Sequence, residues 1–171
     1  MELIYYPNPL LMKTTRPITR DEPDLDAKIE RMIEIMYGND GIGLAGPQVG
    51  WNSRLFIIDL QGNGSDGIHV FRNPRILSSS GTATEAEGCL SFPGLYVKVK
   101  RNRDVVVEYE DQNFDTCQMS CNGLMARAVQ HEHDHLENIL LVHRMSHTDK
   151  IKNRHLLDGL KERHSSSGKS D

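Results

Sequence analysis

The chain has 171 residues, 37% hydrophobic and 26% charged, with a formal net charge of -4. That is enough for one compact domain, and it is not the composition of a disordered chain. The acidic balance excludes a dedicated nucleic-acid surface built on overall charge, and no apolar run approaches the ~20 residues that span a membrane.

Residues 24–37 place Leu25, Ile29, Met32, Ile33 and Met36 on one face at helical spacing. Pro23 and Asp24 signal the start, and Gly38-Asn39-Asp40-Gly41 the stop. A glycine-rich loop follows over 41–50. Runs rich in Val, Ile, Tyr and Phe over 54–60, 68–72, 95–100, 104–110 and 115–121 predict strands, and their short connections suit antiparallel pairing. A second helix is predicted over 123–137. A third begins near Thr148, with Ser146 and Asp149 at capping-box spacing and Ile151, Leu156 and Leu160 as its apolar face. The expected fold is α+β: antiparallel sheets around a central helix, with an N-terminal and a C-terminal helix. One domain is expected over 1–163, with a disordered tail over 164–171.

The N-terminus has neither a basic n-region nor an apolar h-region. Three cysteines, Cys89, Cys117 and Cys121, are an odd, low count. Together these predict a cytoplasmic protein with reduced thiols.

The chemistry concentrates in Gln130-His131-Glu132-His133-Asp134-His135, which contains H-E-x-x-H. On a helix, His131 and His135 share a face and can reach one ion. Glu132 is offset by about 100°, so it can reach a water activated at that ion without being a ligand. His133 lies about 200° from His131 and is expected to be exposed or hydrogen-bonded. The plain alternative is a His-rich surface helix.

A catalytic site needs a third protein ligand. The metzincin extension is excluded, because Asn138 and Leu141 stand where it requires Gly and His. His143, His147 and Glu162 remain as ligands for another zincin arrangement. Cys117 and Cys121 with the two histidines loosely imitate a zinc finger, though the nine residues between Cys121 and His131 are fewer than the usual ~12. Cys89, after Gly88 in a turn-like stretch, is a third candidate. The glycine loop lacks the Lys-Ser/Thr of a P-loop and follows no strand, so it is not a phosphate cradle.

Three segments, 41–50 (Gly41-Ile42-Gly43-Leu44-Ala45-Gly46-Pro47-Gln48-Val49-Gly50), Glu87-Gly88-Cys89-Leu90-Ser91 and Gln130-His131-Glu132-His133-Asp134-His135-Leu136, resemble in order and separation the three signature motifs of the peptide deformylase family. Cys89-Leu90-Ser91-Phe92-Pro93-Gly94 resembles the type 1 branch. The resemblance implies that Cys89, His131 and His135 bind one divalent ion: ferrous iron by family preference, with zinc, nickel and cobalt also accepted. It implies Glu132 as general base and then acid, with the Gln48 side chain and the Leu90 backbone N–H as oxyanion donors. Gly43 would offer backbone hydrogen bonds to substrate, and Leu124 and Ala128 would line a methionine pocket. The implied substrates are N-formylmethionyl nascent peptides. The basic residues of the third helix suit docking near the ribosomal exit, or a solvated face. A catalytically silent metal-binding relative and a zincin-type peptidase are the competing readings.

The chain departs from the family pattern in three places. Gly46 replaces a common alanine and is expected to loosen the loop, and Asn138 replaces a glycine at a helix end, where Asn tolerates the left-handed conformation. His143 stands before Arg144 where aspartate is usual, which predicts the loss of an ion pair.

Overall fold

The computed structural model describes residues 1–60 and 67–167. Helix α1, Leu25–Gly38, buries Ile29, Met32, Ile35 and Met36. The apolar face is the predicted one, except that Ile35 rather than Ile33 turns fully inward. The glycine segment is more ordered than a loop. Gly43–Ala45 forms strand β1, and Gly46–Val49 winds into a 3-10 turn. Gly46 tightens this segment instead of loosening it, since a Cβ there would lie 2.8 Å from the carbonyl oxygens of Trp51 and Ser53.

Strands β2 (Leu55–Ile58), β3 (His69–Ser80), β4 (Ala83–Gly88), β5 (Tyr96–Arg101), β6 (Asp104–Glu110) and β7 (Thr116–Asn122) follow. Five of the seven form an antiparallel sheet in the order β1-β2-β3-β6-β7, while β4 and β5 pair separately. The strand expected over 68–72 runs on to Ser80. It absorbs the proline at a register shift between Arg72 and Arg75, where no ladder donor is required. β4 was not foreseen, because Ala83-Thr84-Glu85-Ala86-Glu87-Gly88 has little intrinsic strand preference and is held by pairing with β5.

Helix α2, Gly123–Leu136, lies across the five-stranded sheet. Its Ala126, Ala128, Val129 and Leu136 pack with Phe56, Ile58, Phe71, Val105 and Val107. α1 packs on the opposite face, against Leu44, Leu55 and Ile57. β2 is therefore buried on both sides, which accounts for its unbroken run Leu55-Phe56-Ile57-Ile58. The small sheet has its own core, in which Val97 and Val99 meet Phe92, Leu95, Leu140, Leu141 and Leu160.

The C-terminal helix is three pieces: α3 (Leu141–Arg144), α4 (His147–Lys152) and α5 (Arg154–Ser167). Ser146 caps α4 by accepting the Asp149 N–H at 3.0 Å, as its spacing predicted. The break at Asn153 rotates the apolar face: Leu160 is buried, but Ile151 is 62% exposed. α5 runs past the expected boundary at 163 to Ser167, and residues 168–171 lie outside the described ones. No described helix is long and apolar enough to cross a membrane.

Candidate metal centre

α2 places His131 and His135 one turn apart, with ring centroids 5.3 Å apart. Cys89 lies immediately after β4, in a turn closed by the Phe92 N–H donating to the Cys89 carbonyl at 2.8 Å. The ligand atoms of Cys89, His131 and His135 all lie within 4.8 Å of one another, and Cys89 Sγ is 3.4 Å from His135 Nε2. Cys117 and Cys121 sit on β7, outside this cluster, and Cys121 is part of the core. His143, His147 and Glu162 are likewise not in it.

The polar groups around the cluster give it a direction. His131 Nδ1 donates to Glu87 Oε2 at 2.9 Å, which leaves Nε2 facing the sulfur. Burial opposes ionisation of Glu87, but hydrogen bonds from His131 and Arg101 outweigh it and hold the carboxyl down at about 2. Burial also disfavours the charged His131. The Cys89 and Glu87 contacts nevertheless raise its affinity for a proton well above the usual imidazole value. His135 moves the other way, lowered by burial and then by the charges of His131 and Arg101. Burial pushes Glu132 up to about 7. Two buried atoms here, Glu132 Oε2 and His135 Nδ1, have no hydrogen-bond partner.

A cysteine sulfur and two imidazole nitrogens converging from fixed elements fit a divalent transition ion, with the cleft leaving room for a fourth ligand. A structural site has no use for a carboxylate kept beside the donors with a buried oxygen left unpaired.

Gln48 is 1% exposed and locked at both ends of its amide. Its Oε1 accepts the Ala45 N–H at 2.8 Å, while Nε2 donates to Ser91 Oγ at 3.2 Å and points at Cys89 Sγ, 3.4 Å away. Gly43 has a role the sequence did not reveal. A Cβ at Gly43 would lie 2.5 Å from Glu132 Oε1, so the carboxylate occupies the space a side chain would need. A cleft of about 510 Å³ opens over the cluster, lined by Ile42, Leu90, Tyr96, Leu124 and Ala128. Ala128 is buried in its wall, whereas Leu124 is half exposed at its rim.

Sequence reasoning missed the ion-pair network behind the histidines. Arg101 grips Glu87 through Nε and Nη2 at 2.8 and 2.9 Å, and reaches Asp134 Oδ2 at 2.6 Å. Arg144 also pairs with Asp134, so the ion pair expected to be lost beside His143 is made elsewhere. His143 instead accepts the Leu140 N–H at Nδ1. The available signal was local: Glu87 is two residues before Cys89, and Asp134 is one before His135. His133 is 15% exposed and sits between Arg54 and Glu137, away from the cluster, as its angle on the helix predicted.

The family model described as polypeptide deformylase matches residues 1–151. The chain belongs to the peptide deformylase family. It is 41% identical over 147 residues to the peptide deformylase of Thermodesulfovibrio yellowstonii, covering 85% of this chain and 89% of that one. It is 42% identical over 134 residues to peptide deformylase 1 of Clostridium perfringens, covering 78% and 89%. The solved peptide deformylase of Plasmodium falciparum superposes with a TM-score of 0.93 at 32% identity, covering 99% of this chain and 100% of that one. An Arabidopsis thaliana peptide deformylase superposes with a TM-score of 0.92 at 35% identity, covering 98% and 93%. The deformylase family is one of metalloenzymes, and the Cys89, His131 and His135 group is the donor set this chain offers.

Proposed function

We propose that the chain is a metal-dependent hydrolase that removes the N-formyl group from the initiator methionine of nascent polypeptides, releasing formate. The observation that carries this reading is one convergence. A cysteine sulfur from just after β4 and two imidazoles from α2 meet beside a buried Glu132, whose Oε2 has no partner, in an apolar cleft.

Cys89, His131 and His135 would hold the ion, and Glu87 orients His131 through Nδ1. When bound, a divalent ion acts as a Lewis acid that makes water a nucleophile at neutral pH. Glu132 takes a proton from the attacking water and returns it to the departing α-amine, a task suited to a carboxyl pushed up to about 7. The Gln48 amide, pinned by Ala45 and Ser91, and the Leu90 N–H stabilise the negative charge that develops on the formyl oxygen. Ile42, Leu124 and Ala128 receive the methionine side chain. Gly43, beyond making room for Glu132, offers its backbone to the extended peptide.

Ferrous iron is the proposed physiological ion, by family likeness, and zinc, nickel or cobalt suit the same donors. We assign the catalytic domain to 1–163 and the protein to the cytoplasm. The α4–α5 segment, with Lys150, Lys152 and Arg154, is the proposed face for approach to the ribosome.

The test is formate release from a formyl-Met peptide together with metal content. Glu132→Ala is expected to keep its ion and lose roughly 10²–10⁴-fold in kcat, and Cys89→Ala to lose both ion and turnover. A fully active Cys89→Ala enzyme would support the zincin-type alternative, and an inactive wild type with a full complement of metal would support a silent relative.

A further inference from the structure

The ion-binding cluster lies on a seam between two separately packed bodies. α2, which carries His131 and His135, belongs to the core of the five-stranded sheet. Cys89 packs against the core of the small sheet, with Phe92, Leu95 and the C-terminal helices. Among the described residues the two cores share no member. What crosses the seam beside the cluster is charge and hydrogen bonding.

One staple runs from the small sheet to the helix, through Arg101 and Asp134. A second joins the Asn102 backbone to the Gln130 amide. A third runs the opposite way. Arg127 lies four residues before His131 and so on the same face of α2, its side chain only 7% exposed. Its Nε donates to Glu85 Oε2 at 3.1 Å, and Nη1 donates to Glu87 Oε1 at 2.5 Å and to the Val99 carbonyl at 3.1 Å. Its Nη2 donates to the Ala83 carbonyl at 3.1 Å. One guanidinium thus holds both strands of the small sheet and the carboxylate that orients His131.

We propose that Arg127 is a positioning residue that closes this seam and thereby sets the spacing between the Cys89 sulfur and the two imidazoles. The inference rests on the assignment of those three residues as ligands. Removing the guanidinium leaves the Ala83 and Val99 carbonyls without this donor and takes one of two arginines from Glu87 Oε1. The ties through Arg101–Asp134, Asn102–Gln130 and Glu87–His131 remain, but the end of the small sheet that Arg127 holds is loosened, and the Cys89 sulfur just after β4 is loosened with it. A donor set spread over two bodies releases its ion faster than a rigid one.

The experiment loads wild type, Arg127→Met and Arg127→Lys with cobalt(II), then measures the thiolate-to-cobalt absorption band and the rate of ion transfer to a chelator. Arg127→Met keeps much of the stem's volume, and is expected to release its ion roughly 10–100-fold faster with a shifted band. Arg127→Lys keeps one charged donor for Glu87 but cannot span both strands, and is expected to fall in between. A lower melting temperature of the metal-free protein, with release and band as in wild type, would mean a purely structural role and would overturn the proposal. Should Arg127→Met fail to fold, wild-type release from Arg127→Lys overturns it equally. Cys89→Ser separates the two levels. If it binds cobalt as wild type does, the ligand assignment itself fails; if it loses cobalt while the Arg127 variants behave as wild type, only the staple fails.

Discussion

Gly43 and Glu132 face each other at less than a side chain's width, and that contact makes a sharp prediction. Gly43→Ala would drive a methyl group to within 2.5 Å of Glu132 Oε1. Either β1 or the carboxylate must move. Kinetics should show kcat/KM falling roughly 10–100-fold, within the range that a misplaced general acid/base forfeits, with metal content unchanged. Gln48→Leu acts differently, because it removes both the proposed oxyanion donor and the acceptor for the Ala45 N–H. It is expected to lower kcat by roughly 10²–10³-fold and, from the orphaned N–H, to lower stability by about 1–3 kcal/mol in denaturant titration. That His131, Glu132 and His135 come together was readable in the sequence because about one helical turn relates them, whereas Cys89 joined them only through the family resemblance. The part of Gly43 was not, since the space above a glycine depends on which distant residue fills it.

At the scale of elements, α2 ends where Leu136 is followed by Glu137 and Asn138, the latter at φ 61°. Asn tolerates that left-handed conformation better than most residues, yet its Oδ1 is buried without a partner. Asn138→Gly removes both penalties. Thermal unfolding should show a gain of about 1 kcal/mol, or roughly 2–4 °C, with activity unchanged. α2 itself, its neighbours β6 and β7 and the start of α1 were legible from periodicity and turn residues. β1 and β4 were not. Each is short or weak in propensity, and each is a strand because a partner strand supplies its hydrogen bonds. The same dependence hid the Glu87–Arg101–Asp134 network, whose members are separated in sequence and joined only when α2 meets the small sheet.

On the scale of the whole molecule, the N-terminal segment is tied to the body by charge. Glu22 is 8% exposed and accepts hydrogen bonds from Arg16, Lys28 and Trp51. The Arg16 hydrogen bond, with those of Lys28 and Trp51, lowers its carboxyl from 4.5 to about 2 against the cost of burial. A carboxyl depressed in the folded state stabilises it above the unfolded value, and that contribution disappears as pH falls through the folded value. Glu22→Gln should therefore cost about 1–3 kcal/mol at neutral pH. Denaturant titrations at stepped pH should show the difference from wild type closing between about 4.5 and about 2. A gap that stays constant across that window would remove Glu22 from the account.

The same segment donates the Ile4 N–H to the Gln48 carbonyl at 2.8 Å and the Tyr6 N–H to the Ser91 carbonyl at 2.9 Å. The first residues of the chain thus brace the two turns that flank the Cys89, His131 and His135 group. The most direct measurement is X-ray absorption at the metal edge of the zinc-loaded protein. One sulfur at about 2.3 Å with two imidazole nitrogens at about 2.0–2.1 Å is the predicted shell. A shell with no sulfur, or with two, would contradict it.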